Sequence, residues 1–214
     1  MNKMRTKKLF FLLFISLCLP TKIYAQWSLE AYGGPDCCIP RLKHFYDTYY
    51  LESSPKYNWA IDCGFSVQYN FNSHLGIRVD GNWQKRIFWK GGLTGIDSDG
   101  FLYSLQSNPS TLLTLPVQGC LIMPWRKFSF YIEAGPYAGA YLSKEIPMNQ
   151  KSRFEAGIVG TAGVGWNIYR NFALNVDFLC FQSLTDNHET GSQYFKQPIY
   201  YTLLTPNIGI RYLF

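Results

Sequence analysis

The sequence predicts an all-β chain closed into an eight-stranded antiparallel up-and-down barrel. Three observations predict it: side-chain polarity alternates with a period of two, connections alternate long and short, and charge gathers on one face of the strands. No stretch carries a helical stripe of comparable length.

The first 25 residues stand apart. Lys3, Arg5, Lys7 and Lys8 form a basic leader, Leu9–Leu19 an apolar run broken by Pro20, and Ile23-Tyr24-Ala25 a small-residue boundary. This reads as a secretory signal peptide cleaved after Ala25, too short and wrongly flanked for a spanning helix. Cys18 does not suggest a lipoprotein, because Leu17 before it is bulky. The expected organisation is therefore a signal peptide over 1–25 and one barrel domain over 26–214. The signal holds five of the 20 basic residues and none of the 14 acidic ones, which leaves a mature net charge of +1. The basic balance of the whole chain thus reflects export, and no nucleic acid partner is expected.

From Gln26 onward the strands follow in order. Trp27–Gly33 alternates around Ser28 and Glu30, the first strand being expected over Gln26–Gly34. Asn58–Phe71 puts Trp59, Ile61, Cys63, Phe65, Val67, Tyr69 and Phe71 on one face and Asp62, Ser66 and Gln68 on the other. Leu75–Trp83 alternates around Arg78, Asp80 and Asn82, and Leu113–Met123 around Thr114 and Gln118. Phe128–Leu142 sets Phe130, Ile132 and Ala134 against Tyr131, Glu133, Tyr137 and Tyr141. Phe154–Ile168 sets Phe154, Ile158, Ala162 and Val164 against Glu155, Gly157, Val159 and Thr161. Phe172–Cys180 alternates around Asn175 and Asp177. Thr205–Phe214 ends the chain with Ile208, Ile210, Tyr212 and Phe214 opposite Asn207, Gly209 and Arg211.

Asn72-Ser73-His74, Pro124–Lys127 and Tyr169-Arg170-Asn171 are tight turns. Longer polar connections lie at about Pro35–Lys56, Gly91–Ser110, Ser143–Ser152 and Thr185–Gln197. Short turns on one side and long loops on the other are the pattern of an outer-membrane barrel, with the long loops facing outward. An even strand count returns both termini to the short-turn side.

A lipocalin-like or sandwich domain in water would share the period of two but turn its charge outward. Here the less apolar face carries glycine, tyrosine and a small charged set: Glu30, Asp62, Arg78, Asp80, Glu133, Glu155, Asp177 and Arg211. Lysine concentrates at turns and loops. A narrow lumen of mutually paired side chains inside an apolar belt fits this distribution, so a lipid bilayer is the expected surrounding. Trp27, Tyr57, Trp59, Trp83, Trp89, Trp125, Trp166 and Tyr169 would form its interfacial girdles. The last strand must pair with the first, since an open edge in lipid costs several kcal/mol per unpaired group. The five cysteines after residue 25 (Cys37, Cys38, Cys63, Cys120, Cys180) are an odd number without metal-ligand spacing. Neither a metal nor another cofactor is expected.

The stretches Leu112–Met123, Phe130–Leu142, Phe154–Ile168 and Phe172–Asn187, with the C-terminal strand, make the chain similar to the PorT-like family of outer-membrane β-barrel proteins. The Leu-Pro at 115–116 and the Glu-Ala-Gly-Pro at 133–136 carry the resemblance best. It implies an integral outer-membrane barrel and assigns no chemistry. The aromatic ending also resembles the C-terminal signal of Gram-negative outer-membrane barrels, which implies recognition of Phe214 by the assembly machinery.

Eight strands enclose an interior that side chains can fill, which argues against a porin. The expected role is a structural or binding barrel whose loops meet a surface protein or glycan. The alternatives are an accessory subunit of a secretion or uptake complex, and a lipid A-modifying enzyme. An enzyme would need a base: His44 near Asp47 and His188 near Asp186 lie in outer loops, whereas His74 sits in a short turn. None falls in a recognisable motif, so no catalytic residue is assigned and no enzyme is expected.

Overall fold

The computed structural model describes residues 26–42, 58–86, 92–96, 102–106, 110–142, 154–185, 189–190 and 197–214. Eleven strands occur among them. They are β1 (Gln26–Leu42), β2 (Asn58–Asn70), β3 (Leu75–Arg86), β4 (Gly92–Ile96), β5 (Leu102–Gln106) and β6 (Ser110–Trp125). The rest are β7 (Phe128–Tyr141), β8 (Phe154–Tyr169), β9 (Phe172–Ser183), β10 (Glu189–Thr190) and β11 (Gln197–Leu213). Eight of these, β1-β2-β3-β6-β7-β8-β9-β11, form one antiparallel sheet that closes because β1 also pairs β11. The chain is a closed eight-stranded barrel.

Every wall strand is held by a neighbour in sequence, so tight turns set the register at one end. Arg126, whose φ of 56° places it in the left-handed region, turns the chain between β6 and β7. Asn72 organises the β2–β3 turn by accepting from the backbone N–H groups of His74 and Leu75, both at 2.8 Å. Closure is sealed at the same end by the Phe214 N–H, which donates to the Trp27 carbonyl at 3.0 Å.

The strands outrun the alternation that announces them. β1 continues through Leu42, well past the expected end at Gly34, with Cys37 paired to both Leu204 and Trp59. Gly34-Pro35 looks like a turn in sequence but lies within the wall. The connection expected at Pro35–Lys56 therefore begins at residue 43, and the one at Gly91–Ser110 contains the β4–β5 hairpin.

Two of the interruptions in the wall fall at a Gly-Pro step. The β1–β11 ladder lacks pairs between Gly33↔Ile208 and Cys37↔Leu204, where Pro35 meets Pro206. The β6–β7 ladder lacks them between Pro116↔Tyr137 and Gly119↔Ala134, beside Pro136. Proline has no N–H to give to a ladder. In both places a glycine precedes the proline because the facing strand comes too close for a side chain. A Cβ at Gly34 would strike the Pro206 carbonyl oxygen, and one at Gly135 the Val117 carbonyl oxygen.

The barrel is inside out relative to a water-soluble domain. Phe65, Met123, Ile132, Phe154 and Ile208 are each more than 60% exposed on the outer face, whereas Glu30, Asp62, Arg78, Asp80, Glu133 and Asp177 are at most 3% exposed inside. No helix of the described residues is long and apolar enough to cross a membrane. The crossing is made by strands, and the outer face is matched to hydrocarbon. Around the short-turn rim the belt ends in touching rings. Trp27 and Tyr69 lie 4.8 Å apart, Phe172 and Tyr212 5.1 Å, and Tyr212 and Phe214 5.0 Å.

Candidate functional site

The lumen is the first candidate, and it is built by parity. Residues that share the inward phase of each strand meet in the middle, and register decides which ones. Glu30 on β1 pairs Arg211 on β11, and Arg78 on β3 pairs Gln118 on β6. Nearer the short-turn end these groups form a hub around Arg78. Its Nε donates to Asp80 Oδ1 at 2.7 Å, and its Nη1 lies 3.4, 3.5 and 3.6 Å from carboxylate oxygens of Glu30, Glu133 and Asp177. Arg211 donates to Glu30 Oε2 through Nε at 3.0 Å and Nη2 at 2.8 Å.

Neutral groups extend the hub across the barrel. Gln118 Nε2 donates to Asp80 Oδ2 at 2.9 Å, and the Thr161 hydroxyl donates to Gln118 Oε1 at 2.9 Å. The Tyr131 hydroxyl donates to Asp177, and the Tyr32 hydroxyl to Asn82. Each guanidinium also faces a ring, Arg78 over Tyr32 at 5.4 Å and Arg211 over Tyr131 at 5.1 Å. Gly163 makes the space for the Tyr131 ring, since a Cβ there would lie 2.6 Å from it. Seven strands thus contribute to one network.

Toward the long-loop end the lumen changes character. Val159, Phe181, Leu203 and Cys38 pair in sequence across β8, β9, β11 and β1, and all four are at most 2% exposed. They form an apolar rung. Tyr137 packs edge-on against Phe181 with centroids 5.3 Å apart, and its hydroxyl donates to Glu155 at 2.6 Å. Tyr141 donates to the other oxygen of Glu155, also at 2.6 Å.

This arrangement closes the interior. A water-filled pore leaves its lining accessible, whereas here Arg78, Phe181 and Leu203 are at most 1% exposed. The charged set expected from sequence is all inside, as are Tyr131, Tyr137 and Tyr141. The rung residues Phe181 and Leu203 were not foreseen. Their signal was parity alone, because Leu179 and Phe181 continue the inward phase of Asn175 and Asp177.

The described residues also include His74 and all five cysteines considered above. No group of three or more His, Cys, Asp or Glu among the described residues could hold a metal ion. All five described cysteines are free thiols, Cys37, Cys38 and Cys120 buried, Cys180 half-buried and Cys63 exposed. His74 sits exposed in its turn with Ser73 Oγ 2.9 Å from Nδ1. The pairs His44–Asp47 and His188–Asp186 lie outside the described residues, as do Tyr57, Trp89 and the segment 1–25.

No family model and no curated protein matches the chain. Solved structures do. OprG from Pseudomonas aeruginosa superposes with a TM-score of 0.54 at 11% identity, over 90% of this chain and 97% of that one. The N-terminal β-barrel domain of Pseudomonas aeruginosa OprF gives 0.50 at 11% identity, over 90% and 100%. The fold is that of small outer-membrane barrels. Neisserial surface protein A is similar as well, with a TM-score of 0.49 at 11% identity over 87% and 96%. At these identities the likeness extends to the fold alone.

Proposed function

We propose that this is an integral outer-membrane barrel with a filled lumen, acting as a non-enzymatic structural or binding protein through its outward loops. One observation carries the reading: the interior is occupied by its own side chains at two levels, the Arg78 hub and the Phe181 rung. A barrel committed in this way leaves the connections at the long-loop end as the variable surface. Such connections on a rigid scaffold are where binding usually resides. Residues 43–57 are the richest, with His44, Phe45, Tyr46, Tyr49 and Tyr50 beside Asp47 and Glu52. That mixture suits a protein or glycan ligand. Assignment to the PorT-like barrels rests on the sequence stretches quoted above, cleavage after Ala25 on the leader, and recognition by the assembly machinery on the Phe214 ending.

The test replaces residues 43–57 with a Gly-Asn turn, cutting after β1 ends so that its buried residues are spared. The variant should keep heat-modifiable migration on cold SDS gels but lose whatever wild-type protein captures from intact outer membranes. Capture that persists unchanged would refute the loop assignment. Lipid A recovered from cells making the protein should keep its acyl pattern by mass spectrometry.

A further inference from the structure

The lipid-facing wall is not uniformly padded. On β8, Ala162 lies in register between Ile132 on β7 and Phe178 on β9, both large and outward. The next row inward along the wall is Ala134–Gly160–Cys180, again small. The result is an open recess of about 500 Å³ floored by Ala162 and walled by Leu121, Met123, Phe130, Val176 and Phe178. Its walls come chiefly from β6, β7, β8 and β9.

Among the described residues, the two short turns that join these same four strands carry the cations of that rim. Arg126 and Lys127 link β6 to β7, Arg170 follows β8, and all three are exposed. The third short turn, Asn72-Ser73-His74 between β2 and β3, has no Lys or Arg. Phe130 is three residues from Lys127, so the recess begins about 10 Å along the strand from the cationic rim. Between them the stacked Phe128–Trp166 pair, 6.3 Å apart, occupies the interfacial depth where aromatic rings settle.

We infer that this wall is a binding site for one anionic phospholipid of the leaflet at the short-turn side. Its acyl chain fills the Ala162 recess, and its phosphate meets Arg126, Lys127 and Arg170. Hydrocarbon depth, interfacial rings and cations are aligned on β6–β9 in the order in which a phospholipid presents chain, glycerol and phosphate. Cations at a membrane surface attract anionic headgroups.

The test is native mass spectrometry of the full barrel in detergent with equal phosphatidylglycerol and phosphatidylcholine. One phosphatidylglycerol should survive transfer on the wild-type barrel in preference to phosphatidylcholine. Ala162→Phe should abolish retention of both lipids. Charge removal by R126Q, K127Q and R170Q should weaken the preference by about fivefold per cation. Phosphatidylglycerol with a diazirine in its acyl chain needs no folded variant, and should label wild-type peptides of β6–β9 above those of β1–β3. Equal retention of the two lipids, or labelling spread evenly around the barrel, overturns the inference. So does a wild-type dimer mass that Ala162→Phe converts to monomer, because a second copy would then be the occupant.

Discussion

The Arg78 hub and the Phe181 rung fill the same lumen by opposite means. The hub is polar and gains its order from direction: one guanidinium reaches Glu30, Asp80, Glu133 and Asp177 from four different strands. The rung is apolar and gains its order from shape, with neighbouring side chains locked by register. Charges taken out of water are tolerated only when paired, whereas apolar groups need only be packed. The hub is therefore the more fragile of the two to a single change, and the rung the more forgiving of substitution by similar volume. Having both lets the barrel exclude water at two heights with unrelated chemistry.

The largest expected effect breaks the hub. Arg78→Ala removes the cation shared by four carboxylates and should destabilise the barrel by about 3–5 kcal/mol, the range for orphaning buried charges. Urea unfolding in detergent micelles, followed by heat-modifiable migration, reads the change. Reconstituted Arg78→Ala protein that still folds should remain non-conducting, because the rung lies at another level. Steady conductance in that variant alone would mean that the hub seals the lumen by itself.

Next comes the rung. Phe181→Ala leaves a cavity against Leu203, Val159 and Tyr137 and should cost about 3 kcal/mol, the low end for a buried Phe. Phe181→Leu should recover most of that loss, since volume rather than direction is what the site asks for. The contrasting control is Arg78→Lys, which keeps the charge but loses the planar fork and should recover little. If the two conservative variants recover equally, the distinction between the layers fails.

How much of this could be read from the chain depends on what the period of two encodes. Parity alone assigns Glu30, Arg78, Asp80, Glu133, Asp177 and Arg211 to one side of the wall, and all six are buried there. Parity does not say which carboxylates share Arg78, because that depends on the register of closure between β1 and β11. Phe181 and Leu203 were hidden for a different reason: composition makes them look lipid-facing, and only their phase turns them inward. The extension of β1 through Leu42 was masked by Gly34-Pro35, a dipeptide that usually marks a turn but here serves a close approach to Pro206. The binding surface assigned to residues 43–57 remains a sequence argument, since those residues lie outside the described structure.

The smallest effect falls beside the rung, on its long-loop side. Tyr137 joins the rung to a separate polar contact, its ring packed on Phe181 and its hydroxyl bonded to Glu155. Tyr137→Phe deletes the polar half of that role while keeping the apolar half. Glu155 Oε1 then has one donor fewer, and Oε2 keeps Tyr141. The expected loss is about 1–1.5 kcal/mol, the net worth of one hydrogen bond in a buried setting. Tyr141→Phe should cost a similar amount. The double variant should cost more than the sum of the singles, since both oxygens of one buried carboxylate lose a donor together. Additive losses in urea unfolding would show that Glu155 is held chiefly by other partners, and that the rung tolerates a carboxylate without help from these two tyrosines.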